Sequence, residues 1–170
     1  MDRVSLQFNN DNTVATVALN RPEKHNGVDW PMLKAVRKVQ LQLAKHKTLR
    51  AVVLKGAGPS FCAGLDVKSV MSNPKTAVVM YANLWLPMRN IFQTWSMGWR
   101  DLGVPVIAQI HGNCFGAGIQ LALGADIRVC TPDSQLSILE AKWGLVPDMG
   151  GGALLRELLP VDVAKELTMT

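Results

Sequence analysis

Two glycine-containing turns carry the first sign of chemistry in this chain: Ala63-Gly64-Leu65 and Gly116-Ala117-Gly118. Each stands where a helix is predicted to begin, and the second directly follows an apolar run that reads as a buried strand. Helix N-termini present unpaired backbone N–H groups and a partial positive charge. Two of them aimed at one point would bind a carbonyl oxygen that turns negative during a reaction. One such donor is worth roughly 3–4 kcal/mol in a transition state. The same glycines also suit close packing or left-handed backbone with no chemistry attached. Neither turn has the G-x-x-x-x-G-K-[ST] pattern, which argues against a nucleotide-phosphate loop.

Glu140 and Asp148 are the second feature, on either side of a turn containing Gly144 and Pro147. Such a carboxylate pair can move a proton to and from a substrate carbon, provided partial burial lifts a pKa toward working pH. Asp148 also fits a helix N-cap and Glu140 a surface acid. His25, His46 and His111 share no metal-ligand spacing, and neither do Cys62, Cys114 and Cys130, so no metal site is predicted. His111 is expected to be a hydrogen-bonded structural residue, and Cys114 a core thiol.

Short elements must position these groups. Val4, Leu6 and Phe8 alternate, Asn9-Asn10-Asp11-Asn12 is a turn cluster, and Ala15, Val17 and Leu19 alternate again, which predicts a hairpin. Asp29 and Pro31 open a helix whose apolar stripe is Leu33, Val36, Val39 and Leu43. Apolar runs predict buried strands over 49–54 and 104–110, and a third strand over 125–129. A long helix is predicted from Pro74 to Trp99, with Trp85, Phe92 and Trp95 as its packing stripe, and shorter helices over 119–123, 149–159 and 162–170. Strands alternating with helices after a leading hairpin make an α/β pattern with mostly parallel pairing.

Composition sets the bounds. The 170 residues are 48% hydrophobic and 18% charged, which excludes a disordered tail. Lys plus Arg is 18 and Asp plus Glu is 13, so the net charge is +5, which suits an anionic small molecule as well as nucleic acid. No apolar run reaches membrane-spanning length and the opening residues do not read as a signal peptide. The odd cysteine count fits a reduced, cytoplasmic chain.

Taken together, the segments resemble the enoyl-CoA hydratase/isomerase (crotonase) family. The resemblance runs through 14–22 with Lys24 and Asn26, through Ser60-Phe61-Cys62-Ala63-Gly64-Leu65-Asp66, through 105–112 and Gly116-Ala117-Gly118, through Gly124-Ala125-Asp126-Ile127-Arg128, and through 140–152. It implies a right-handed spiral of ββα units, with residues 1–170 as the N-terminal core domain and further C-terminal helices expected beyond them. It implies an acyl-CoA thioester substrate, no separate cofactor, and a homotrimer or hexamer of the full-length protein. By the same resemblance the N–H groups of Leu65 and Ala117 form the oxyanion hole, and Lys24, His25, Asn26, Ala63, Gly64, Asp66, Val67 and Gly116 line the CoA. The family usually carries Gly where Ala117 stands; a backbone donor survives that change if the local φ is one Ala tolerates.

Hydratases of the family hold a water between two glutamates. Glu140 stands at one of those places and Gln120 at the other, and an amide cannot take up a proton at neutral pH. Catalysis is therefore assigned to Glu140, Asp148 and Gln120, with double-bond isomerisation ranked above hydration. Two other readings stay open: a CoA-binding member without turnover, and an RNA-binding relative. The second would use Lys34, Arg37, Lys38, Lys45, Lys47 and Arg50, a stretch that otherwise reads as a solvated helix face.

Overall fold

The computed structural model describes residues 2–72, 74–85 and 88–170. Strands β1 (Val4–Phe8) and β2 (Val14–Leu19) form the antiparallel hairpin that the alternation predicts, with Val4 opposite Leu19. Its turn is held by Asn9, whose Oδ1 accepts from the N–H groups of Thr13 and Val14 at 2.8 and 2.9 Å. Strands β3 (Ala51–Gly56), β4 (Val106–Ile110) and β6 (Ile127–Cys130) then add in parallel, giving the order β1-β2-β3-β4-β6. A separate parallel pair, β5 (Asn113–Phe115) with β7 (Gln135–Ser137), stands beside it.

Helix α1 (Trp30–Leu43) begins where the cap predicts, with the Asp29 carboxylate accepting from Met32 N–H at 2.9 Å. Its stripe of Leu33, Val36, Val39 and Leu43 is buried in the core. The remaining helices are α2 (Val67–Met71), α3 (Pro74–Leu84), α4 (Ile91–Met97), α5 (Ala117–Leu123), α6 (Gly151–Leu158) and α7 (Val161–Met169). The arrangement is the mixed α/β one expected, with mostly parallel strands.

Three expectations are corrected. The long helix from Pro74 to Trp99 is broken; positions 86–87 lie outside the described residues, but a new helix clearly starts at Asn90. Its side chain accepts from the N–H groups of Phe92 and Gln93 while Gln93 accepts from Asn90 N–H, a capping box that satisfies the orphan donors of a fresh N-terminus. Trp85 is not in the packing stripe: it is 72% exposed, whereas Phe92 and Trp95 are buried. Asp148 does not cap α6, because Gly150 takes the cap position without any side-chain bond.

Buried polar groups pin the loop before α1. Asn26 is fully buried: its Oδ1 accepts from Arg21 N–H at 2.9 Å, and its amide nitrogen lies 2.7–3.2 Å from the carbonyls of Ala57, Ser60 and Phe61. Asn26→Ala strands several of these groups at once, and is expected to cost about 2 kcal/mol of stability, read as a lower urea midpoint.

The cysteines are free thiols in distinct settings. Burial pushes the Cys62 thiol up to about 12 and raises Cys114 too, whereas Cys130 is exposed. A thiolate-selective reagent at neutral pH is expected to modify Cys130 alone in the folded protein and all three in urea, counted by mass spectrometry. His111 bonds through Nε2 to the Gly58 carbonyl at 2.9 Å, the structural role expected of it. Among the described residues no helix is long and apolar enough to cross a membrane.

Candidate active site

The two glycine turns meet because backbone pairing brings them together. Phe61 N–H donates to the His111 carbonyl (2.8 Å), Cys62 N–H to Asn113 (3.0 Å), and Phe115 N–H back to Cys62 (2.9 Å). The first turn of α5 then lies directly on this rung. A Cβ at Gly118 would sit 2.2 Å from the Cys62 carbonyl oxygen, so only glycine permits the approach. Gly64 has φ +96°, and a Cβ there would come within 3.0 Å of the Phe115 carbonyl oxygen and 3.8 Å of the Ala117 nitrogen.

Both turns open onto a cavity of about 350 Å³, whose lining includes Leu65, Ala117, Glu140 and Asp148. Neither Leu65 N–H nor Ala117 N–H donates to an acceptor among the described residues. The neighbouring peptide groups are tied down: Val28 N–H donates to Gly64 (2.8 Å), and Asp66 N–H donates to Val28 (2.9 Å). Ala117 is the first residue of α5 and lies outside the left-handed region, so its side chain brings no backbone strain. Its carbonyl accepts from the buried Trp95 indole N–H at 2.8 Å, which joins α4 to the start of α5.

Glu140 follows β7 and leads a short 3-10 turn, with its backbone carbonyl accepting from the N–H groups of Trp143 and Leu145. Its Oε1 accepts from the Gln120 amide at 2.6 Å, while Oε2 is buried with no hydrogen-bond partner among the described residues. Burial pushes the Glu140 carboxyl above the ordinary glutamate range, and the charge of Asp148 adds to the rise. Asp148 sits at the rim, exposed as a residue, yet the protein around its carboxyl withdraws enough water to raise it as well. Two acids with lifted pKa values at one cavity are suited to exchanging protons with a bound carbon or oxygen.

The structure sorts the other predicted residues. Ala63, Gly64, Val67 and Gly116 border the cavity with Leu65 and Ala117. Lys24, His25 and Asn26 do not: Lys24 and His25 are exposed, His25 Nδ1 lies 3.0 Å from Ser60 Oγ, and Asn26 is the buried knot described above. Asp66 is committed to the protein, capping α2 through Ser69 N–H (3.0 Å) and pairing with Arg21 (2.8 Å). Burial alone would raise its carboxyl, but Ser69, Arg21 and Lys24 together bring it below the ordinary value. Gln120 is only 1% exposed and does not border the cavity; both ends of its amide are engaged inside the protein, so it does not offer a place for water. Composition and spacing missed the apolar wall of Leu139, Trp143, Leu145, Val146 and Met149, although the apolar residues surrounding Glu140 and Asp148 were its visible signal.

Residues 9–170 match the family model described as enoyl-CoA hydratase/isomerase. The chain belongs to that family. Carnitinyl-CoA dehydratase from Proteus mirabilis (strain HI4320) is 32% identical over 167 residues, a stretch covering 98% of this chain and 60% of the relative. The protein of that name from Citrobacter koseri is 33% identical with the same coverage. The enoyl-CoA hydratase structure from Bacillus anthracis superimposes with a TM-score of 0.83 at 29% identity, covering 98% of this chain and 62% of that one. A Thermobifida fusca YX chain solved in complex with CoA gives a TM-score of 0.83 at 29% identity, over 99% of this chain and 64% of its own. The chain thus spans about 60% of the length of the curated relatives it matches. These likenesses bear out the family and the crotonase fold; the preference for isomerisation drawn from Gln120 finds no support in the names of these relatives.

Proposed function

We propose that this chain carries the reactive half of an acyl-CoA site in which a thioester enolate forms and a proton is exchanged, with reversible hydration–dehydration as its first reaction. The observation that carries this reading is the Glu140 carboxyl beside a cavity also lined by Leu65 and Ala117, whose N–H groups donate to no acceptor among the described residues. Glu140 takes the α-proton of a 3-hydroxyacyl thioester, and the electrons move onto the thioester oxygen, where the two amides hold the negative charge. The enolate then expels the 3-hydroxyl, which leaves as water with a proton from Asp148, and a C=C bond forms between the α- and β-carbons. Solvent at the rim resets both acids. Addition of water runs the same steps backward.

The relatives named carnitinyl-CoA dehydratase support the elimination direction, and the Thermobifida fusca neighbour supports CoA as the carrier. A second reading, isomerisation, is favoured by Gln120: its amide is locked away, leaving Glu140 with a single acid partner, Asp148, which would return the proton to carbon. Lys24, outside the cavity lining, and Ala63, Gly64, Leu65 and Val67, which line it, are the residues we place against CoA, and a trimeric or hexameric assembly in the cytoplasm completes the reading. The test is incubation of the protein with 2-enoyl-, 3-enoyl- and 3-hydroxyacyl-CoA in heavy water. Interconversion of enoyl and hydroxyacyl thioesters is expected; deuterium uptake with a shifted double bond and no hydroxyacyl product would select isomerisation. Acyl-CoA binding without any exchange would leave a binding protein.

A further inference from the structure

We infer that Gln120 is the positioning residue of this site: it holds Glu140 by one carboxylate oxygen and so fixes where the carboxyl stands beside the cavity. The inference rests on the proposed reading of Glu140 as the base. Gln120 lies on α5 one turn beyond Ala117, so a single short helix delivers both the free amide at its start and the clamp behind the acid. The clamp has a determined direction. Gln120 Oε1 accepts from Gly151 N–H at 2.9 Å, which obliges Nε2 to be the end that donates to Glu140 Oε1 at 2.6 Å. The flipped amide would set oxygen against carboxylate and N–H against N–H, so neither contact survives reversal. Gly151 is the residue that admits this geometry, since a Cβ there would lie 2.7 Å from Gln120 Oε1.

One buried amide therefore joins three pieces: α5, the segment after β7 that carries Glu140, and the N-terminus of α6 just past Asp148. Glu140 Oε1 is occupied by the amide and Oε2 has no partner among the described residues, so the two oxygens are no longer equivalent. The charged group that acts on Glu140 is Asp148, so the amide and that carboxylate push in opposite directions: N–H donation favours the ionised base and the neighbouring charge disfavours it.

The test uses the whole chain with Gln120→Leu and, because Leu leaves Gly151 N–H unpaired and that variant can fail to fold, also the isosteric Gln120→Glu. Readouts are kcat and KM for the substrate found active, and a pH titration of the Glu140 carboxyl followed by carbon-13 NMR. For Gln120→Leu, kcat is expected to fall about 10- to 100-fold with KM little changed, the usual consequence of a reacting group set slightly out of place. The Glu140 midpoint is expected to rise, because the donor that stabilises the ionised form is gone. In Gln120→Glu two acids in contact titrate as a pair, with one midpoint driven up further. An unchanged Glu140 midpoint and unchanged kcat in both variants would overturn the inference, as would a loss confined to KM. If instead the parent protein exchanges no proton with any acyl-CoA while the Glu140 midpoint still moves in the variants, the clamp stands and the reaction assigned to the site falls.

Discussion

Glu140→Gln is expected to lower turnover of an acyl-CoA substrate by about 10²- to 10⁴-fold, the usual contribution of a positioned general base. Binding of the thioester should persist, because the cavity wall and the Leu65 and Ala117 amides are untouched. The substitution keeps the shape and keeps an oxygen to accept from Gln120, so it removes the proton-accepting function with little else. The effect on stability runs the other way. A carboxyl with a raised folded pKa binds its proton more tightly in the fold than in the unfolded chain. It therefore favours the fold below the ordinary value near 4.5, and that advantage is lost as pH rises through the raised value. Once ionised, the partly desolvated Glu140 is a burden. Glu140→Gln should consequently melt at the same temperature or higher at neutral pH, with the gain vanishing in acid. The acid limb of the parent's pH–rate profile should lie above the ordinary carboxylate range. A variant that lost activity together with stability would point to a structural role.

Gly118→Val is expected to damage stability and turnover together. The new Cβ would lie 2.2 Å from the Cys62 carbonyl oxygen and 2.9 Å from its Cβ, and neither side can yield cheaply. One side is the first turn of α5, and the other is the rung where Cys62 pairs with Asn113 and Phe115. Overpacking of this kind costs about 1–3 kcal/mol. Relief must separate α5 from the 61–65 segment, which moves Ala117 N–H away from Leu65 N–H, and a displacement near 1 Å at reacting groups lowers rates by about 100-fold. Gly152→Ala is the control: it is helical, its nearest outside neighbour would be 4.0 Å away, and it should gain roughly 0.5–1 kcal/mol from helix propensity. Equal melting temperatures for Gly118→Val and the parent would mean that the two turns are not pressed together.

Much of this was readable from residue order. Alternation and the Asn9 turn marked the hairpin, Asp29 with Pro31 marked the start of α1, and apolar runs located β3, β4 and β6 to within two residues. What escaped was contact between distant segments. Strands β5 and β7 have three residues each, too short for a period to show, and exist only because they pair with each other. The break before α4 was written in the Asn90–Gln93 spacing, but a continuing apolar stripe hid it. At the site, residue type suggested Glu140, Asp148 and the two amides as candidates. The resemblance suggested Gln120 beside them, but no periodicity indicates that its amide is buried between Glu140 and Gly151. The resemblance placed Asn26 and Asp66 toward CoA; in the structure their side chains are engaged with the carbonyls of 57–61, with the Arg21 backbone and side chain, and with the cap of α2.

The proposed convergence of Leu65 N–H and Ala117 N–H beside Glu140 is tested most directly by a crystal structure of the chain with a slowly turned-over acyl-CoA thioester. The thioester oxygen is expected within hydrogen-bond reach of both nitrogens, roughly 2.7–3.1 Å, with the α-carbon facing the Glu140 carboxyl. A thioester whose oxygen met neither amide, or whose α-carbon lay on the far side of the cavity from Glu140, would contradict the account.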